Sequence, residues 1–256
     1  MSITALQEHI RKKKTPLALG LGPEANRLPA PVVKRFTDLY GESIMARSEA
    51  LRYHGTQLMA QAAQRLPAVV MRADRYLLCG AMGLDVLSNL VHMARSQGLY
   101  AIVDARCADP AVWLGGEVNA DAVTISPYYG TAAAGEDKAL FALVRTAEPG
   151  AAGAQNLMAG DRRLFLAAGE QMARRGAGIM AQTDYSLDVR ELRRLRGRLP
   201  GARIVLADCG LTRDARALAA YLADRDPGVA LTDGAVIRLD ENEHTKEEEH
   251  GRAGHL

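Results

Sequence analysis

Cysteine is scarce in this chain. Cys79, Cys107 and Cys209 are the only three among 256 residues, they lie far apart, and no CxxC pair occurs. An odd, scattered set suits reduced thiols in a cytosol rather than a disulfide framework. Aromatic residues are also few, with three Phe, one Trp and eight Tyr, which weakens any reading as a base-stacking, nucleic-acid-binding surface. An excess of one charge is missing too: the formal net charge is +2, so bulk electrostatics call for neither nucleic acid nor a membrane surface. No segment approaches the ~20 uninterrupted apolar residues of a membrane span. The opening MSITALQEHIRKKKTP has a basic run without the apolar stretch of a secretory signal. These absences predict a cytoplasmic protein with neither nucleic acid nor membrane as partner.

What is present is a regular alternation. Short apolar runs rich in β-formers fall at Leu17–Leu21, Ala68–Met71, Tyr100–Val103, Ala122–Ile125, Leu140–Val144, Gly178–Gln182, Arg203–Ala207 and Val229–Thr232. Near-continuous apolar runs are what a sheet covered on both faces requires. Amphipathic stretches separate them. In GLDVLSNLVHMARSQG, Leu84, Val86, Leu87, Leu90 and Val91 form one stripe, and Gly98 closes the helix. Eight such units favour a closed α/β architecture, the (β/α)8 TIM barrel, which typically needs about 250 residues. An open dinucleotide-binding sheet is disfavoured because GLGPEANRLP after the first strand is not GxGxxG leading into a helix. The barrel is expected to occupy residues 1–239 as a single domain. Residues 240–256, DENEHTKEEEHGRAGHL, form a polar stretch that cannot bury a face and reads as a solvated tail. His244, His250 and His255 within it fit no compact ligand set, and neither metal nor cofactor is expected.

Chemistry in such a barrel sits at the C-terminal strand ends. There the third strand runs into Asp104-Ala105-Arg106-Cys107-Ala108-Asp109. This resembles the Asp-x-Lys-x-x-Asp signature of the orotidine 5′-phosphate decarboxylase family, with Arg in place of Lys. Three further segments resemble that family in the same order. GLGPEANRLP matches its first-strand GLDP motif, ADAVTISPYYG its fourth-strand segment ending in Asn-x-Tyr, and ALFALVRTAEPGAAGAQ its fifth-strand Thr-Ser-Asn-Pro segment. The likeness runs from about Pro16 to about Leu239. It implies decarboxylation of a pyrimidine nucleotide, in which a Lys protonates the carbanion left by CO₂ within an alternating array of carboxylates and lysines. It also implies a homodimer, Asp104 and Asp109 holding the two carboxylate positions and Asp109 reaching the neighbouring subunit's site.

The departures from the family pattern fall on its chemistry. Arg106 stands at the proton-donor position, where a guanidinium with a pKa above about 12 is a poor acid. The array's second Lys corresponds to Val70. Gly22 replaces the Asp that would hold the ribose, Ser126 replaces Asn, and Ala147, after Thr146, replaces the Ser that would bond the pyrimidine. At the phosphate loops, Thr212, Arg213 and Gly234 stand among Asp208, Asp214 and Asp233. Gly234 takes the place of an Arg, and only Arg213 offers partial compensation. One preorganised donor is worth roughly 2.7–4 kcal/mol of the about 8–23 that enzymes supply. Losing both lysines and several contacts therefore removes most activity on orotidine 5′-phosphate, although such losses are not additive.

Other residues have ordinary readings beside chemical ones. Asp104, Arg106 and Asp109 form either a repurposed site or an inherited network that shapes the mouth. Arg72, Asp74 and Arg75 extend that rim or are solvated loop residues. Cys107 and Cys209, with Asp104 and Asp208, would make a thiolate–carboxylate metal site, against the more usual reading of small buried thiols. His54 reads as a helix-surface residue, and Met59, Met71, Met82 and Met93 as core or helix-face filling. The sequence thus predicts a catalytically impaired or inactive paralogue that binds a pyrimidine nucleotide or another small anionic ligand. It would be a homodimer, or a heteromeric partner of a true decarboxylase. The alternative is an enzyme, either an active decarboxylase of pyrimidine biosynthesis with an atypical site or a barrel acting on a different small molecule.

Overall fold

The structure is a computed structural model that describes residues 1–15, 17–22, 28–130, 134–146, 148–182, 197–199, 202, 205–208 and 229–233. Eight parallel strands close into a barrel in the order β1-β10-β9-β8-β5-β4-β3-β2. They are β1 Leu17–Leu21, β2 Ala68–Arg72, β3 Tyr100–Cys107, β4 Ala122–Ile125, β5 Ala139–Arg145, β8 Gly178–Gln182, β9 Val205–Asp208 and β10 Val229–Asp233. A short antiparallel hairpin, β6 Met158–Ala159 with β7 Arg162–Arg163, lies between β5 and β8. Every apolar run of the sequence coincides with a barrel strand. Arg203 and Ile204 of the seventh run fall outside the described residues, as does the expected tail at 240–256.

The period-2 geometry of strands sorts their residues onto two faces. Ala68, Val70, Tyr100, Ile102, Phe141 and Leu143 point inward and fill the barrel. Their neighbours Val69, Met71, Ala101, Val103, Ala142 and Val144 face the helices. The interior is therefore a packed core, as this fold requires.

The N-terminal end of that interior is stopped by α1, Ile3–Lys13, whose Ile3, Leu6 and Ile10 recur at helical spacing and pack against the strand starts. Ser2 caps the helix by accepting from the Ala5 amide. Asp121, just before β4 and fully buried, accepts from the Ala101 amide at 3.0 Å and pairs with the Met1 ammonium at 3.0 Å and Arg95 Nε at 3.2 Å. A Cβ at Gly178 would lie 2.5 Å from the Phe141 ring, so this floor has no room for a larger residue.

Among the described residues seven further helices follow: α2 Ala30–Tyr40, α3 Ile44–Arg65, α4 Ala73–Leu77, α5 Gly80–Ser96, the short α6 Ala111–Leu114 and α7 Ala151–Gln155, and α8 Leu164–Arg174. In α5, Val86, Leu87, Leu90 and Val91 are fully buried, and Gly98 takes φ +78° just beyond the helix. Leu84 does not belong to that stripe: it is exposed on the solvent side of the helix. Among the described residues no helix is long and apolar enough to cross a membrane.

Candidate functional site

The mouth of the barrel is shaped by an irregularity in β3. Val103 pairs with Val123 and Cys107 with Ile125, so the stretch from 103 to 107 faces a shorter one in β4. Such a bulge re-aims side chains. Here it places Arg106 at φ +49°, a left-handed conformation unusual for a side chain other than Gly or Asn. Thr124 holds the distortion. Its hydroxyl donates to Asp104 Oδ1 at 2.6 Å and accepts from the Arg106 amide at 2.9 Å.

Three charges line up from this bulge outward. The Asp104 side chain is 1% exposed, that of Arg106 29% and that of Glu148 48%. Arg106 Nη2 lies 3.6 Å from Asp104 Oδ2, an ion pair longer than a hydrogen bond. Arg106 Nη1 donates to Glu148 Oε1 at 2.6 Å. Burial pushes the Arg106 pKa down, but the fields of Asp104 and Glu148 outweigh it, so the guanidinium holds its proton more firmly than usual. Burial likewise pushes the Glu148 carboxyl up, but hydrogen bonds led by that from Arg106 bring it below the ordinary glutamate range.

Other expected site residues spread around this centre. Val70 lies in β2 inside the barrel, buried in the apolar core. Gly22 takes φ +141°, and a Cβ there would stand 2.7 Å from the Cβ of Arg72, so a side chain at this position would strain the backbone and require a shift. Ser126 follows β4, and its hydroxyl accepts from the Tyr128 amide at 3.4 Å. Thr146 follows β5 and is bound twice by Gln155, through its amide and its hydroxyl, each at 3.0 Å. Asp109 is turned to its own chain, accepting from the Ala111 amide at 2.9 Å. Ala147, Thr212, Arg213 and Gly234 lie outside the described residues, as do Cys209 and the three tail histidines.

At the rim, Arg72 and Asp74 pair with each other at 2.6 Å on an exposed surface. Cys107 is half-buried with its thiol pKa raised by burial, and Cys79 is buried. Among the described residues no three His, Cys, Asp or Glu side chains group as metal ligands. His54 is partly buried on α3, and burial lowers its pKa. Met59 and Met71 are fully buried, whereas Met82 is exposed. Sequence reasoning missed Thr124 and Glu148. The alternation already placed Thr124 inside β4, but neither residue belongs to a motif that draws attention to it.

No protein-family profile matches the chain. It is 26% identical over 206 residues to the orotidine 5′-phosphate decarboxylase of Caldicellulosiruptor saccharolyticus, covering 71% of this chain and 68% of that protein. To the enzyme of the same name from Clostridium novyi it is 23% identical over 201 residues, covering 72% and 67%. Among solved structures, Leishmania donovani OMP decarboxylase superposes with a TM-score of 0.64 at 23% identity, over 91% of this chain and 88% of that one. Leishmania donovani UMP synthase gives 0.66 at 22% identity over 94% of this chain, which spans only 56% of the synthase. The structural matches speak to the fold, and the sequence relatives carry the same description.

Proposed function

We propose that this chain, which belongs to the orotidine 5′-phosphate decarboxylase family, is a catalytically inactive paralogue that uses the barrel mouth to bind a small ligand. Arg106 carries the reading. The family reaction needs an acid that releases a proton to a carbanion. A guanidinium whose charge is stabilised by Asp104 and Glu148 is a worse acid than a free one. The neighbouring position offers no substitute, because Val70 sits in apolar packing where a second ammonium would belong. Asp104 remains as an inherited carboxylate, now neutralised within the chain. The ligand class is a pyrimidine nucleotide or another small anion. The protein acts in the cytoplasm as a homodimer or as the partner of an active decarboxylase, with residues 1–239 as its single domain.

Uridine 5′-phosphate tests the binding part of this reading. A ligand at a hundredfold excess over Kd stabilises by about 2.7 kcal/mol, which for a chain of this size raises Tm by about 5–10 °C. A flat thermal-shift titration at millimolar ligand would remove the nucleotide from the proposal. Light scattering tests assembly: a mass near the 27.5 kDa monomer at working concentration contradicts the dimer.

A further inference from the structure

Beyond its effect on the acidity of Arg106, Glu148 stands at a defined place beside the mouth. Its backbone carbonyl accepts from the Ala151 amide at 3.1 Å, and Gly150 turns the chain at φ +84°. Two residues earlier, Thr146 is clamped by Gln155 at both its amide and its hydroxyl. Thr146 and the Glu148 carbonyl are thus each held by hydrogen bonds close to the carboxylate that meets Arg106. On the other partner, the bulge and Thr124 fix the backbone from which the guanidinium departs.

The order of exposure gives the pair a direction. Asp104 lies on the interior side of the guanidinium and Glu148 on the solvent side. Arg106 Nη2 is buried, while Nη1, the nitrogen turned toward the loop after β5, is already occupied by Oε1 of Glu148 at 2.6 Å. An anionic group arriving through the mouth finds the guanidinium already neutralised. It must displace Glu148 to form the charge-assisted contact that Arg would otherwise offer.

We infer that Glu148 is a specificity-determining residue of this mouth, a resident counter-anion on the ligand-facing side of Arg106 that selects against anionic groups at that point. The inference rests on the reading of the mouth as a ligand site, but its first test does not. An arginine-selective dicarbonyl reagent, with modification mapped by mass spectrometry, reports how available Arg106 is. Arg174, whose side chain is 80% exposed, serves as the internal reference. Relative to wild type, Glu148→Gln and Glu148→Ala should each raise the Arg106 rate by about threefold or more with Arg174 unchanged. No rise in either variant overturns the inference. A rise in Glu148→Ala alone also overturns it, since it would show steric cover rather than charge. Uridine 5′-phosphate titrations on the same proteins separate the two readings. Tighter binding by Glu148→Gln supports both. Higher Arg106 reactivity without nucleotide binding to any variant leaves the counter-anion standing and removes the nucleotide.

Discussion

At the scale of single residues, Thr124 does the most with the least sequence signal. One hydroxyl satisfies a buried carboxylate and the amide of a left-handed residue together. Thr124→Val keeps the shape and removes both bonds. Leaving Asp104 without that donor should cost about 1–3 kcal/mol, read as a lower urea midpoint with unchanged m; a loss below about 0.5 kcal/mol would show that Asp104 does not depend on Thr124. Glu148 gives a pH signature. Its carboxyl is held below the ordinary range in the folded chain, so its stabilising effect is complete above the unfolded glutamate pKa. The effect fades as pH falls through the depressed folded value. The stability difference between wild type and Glu148→Gln should therefore be constant near neutrality and shrink on acidification. A difference that grows toward acid would reverse the assignment. The charged positions Asp104, Arg106 and Asp109 were legible from one motif. Their neutralising partner was not, because Glu148 lies 42 residues from Arg106 and only the pairing of β3 and β5 on either side of β4 brings their ends together.

At the scale of elements, apolar runs located the strands because an interior on one face and helices on the other leave few polar positions. The same patterning could not reveal the β3 bulge. A bulge is a mismatch between two strands, and neither strand's sequence alone records it. Leu84 was misassigned for a related reason: it satisfies the helical period at the edge of the stripe, and the angle at which α5 meets the barrel decides which edge is covered. Two substitutions test the packing of elements. A Cβ at Gly83 would stand 1.8 Å from the Tyr76 carbonyl oxygen, and backbone cannot give way as a side-chain tip does. Gly83→Ala should thus destabilise by at least about 1–3 kcal/mol, and a variant as stable as wild type would mean that α4 and α5 are not joined this way. Leu6→Ala in α1 empties a fully buried position against the barrel floor and should cost about 2–5 kcal/mol. A cost near zero in thermal or urea unfolding would show that α1 is not part of the core.

At the scale of the whole molecule, the barrel stands on pairing and packing alone. The ring closes through β10 pairing with both β1 and β9, and alternating side chains fill its interior. None of this needs a lysine at position 70 or 106. Family likeness carries the architecture, as the superposition with Leishmania donovani OMP decarboxylase over 91% of this chain illustrates. The mouth carries its own charge arrangement. There Arg106 lies between Asp104 and Glu148, and a Cβ at Gly22 would stand 2.7 Å from the Cβ of Arg72. The most direct measurement is turnover of orotidine 5′-phosphate by the purified wild-type chain beside Asp104→Ala. The account predicts that neither protein releases CO₂ above the uncatalysed background. Measurable wild-type turnover that disappears in Asp104→Ala would contradict it.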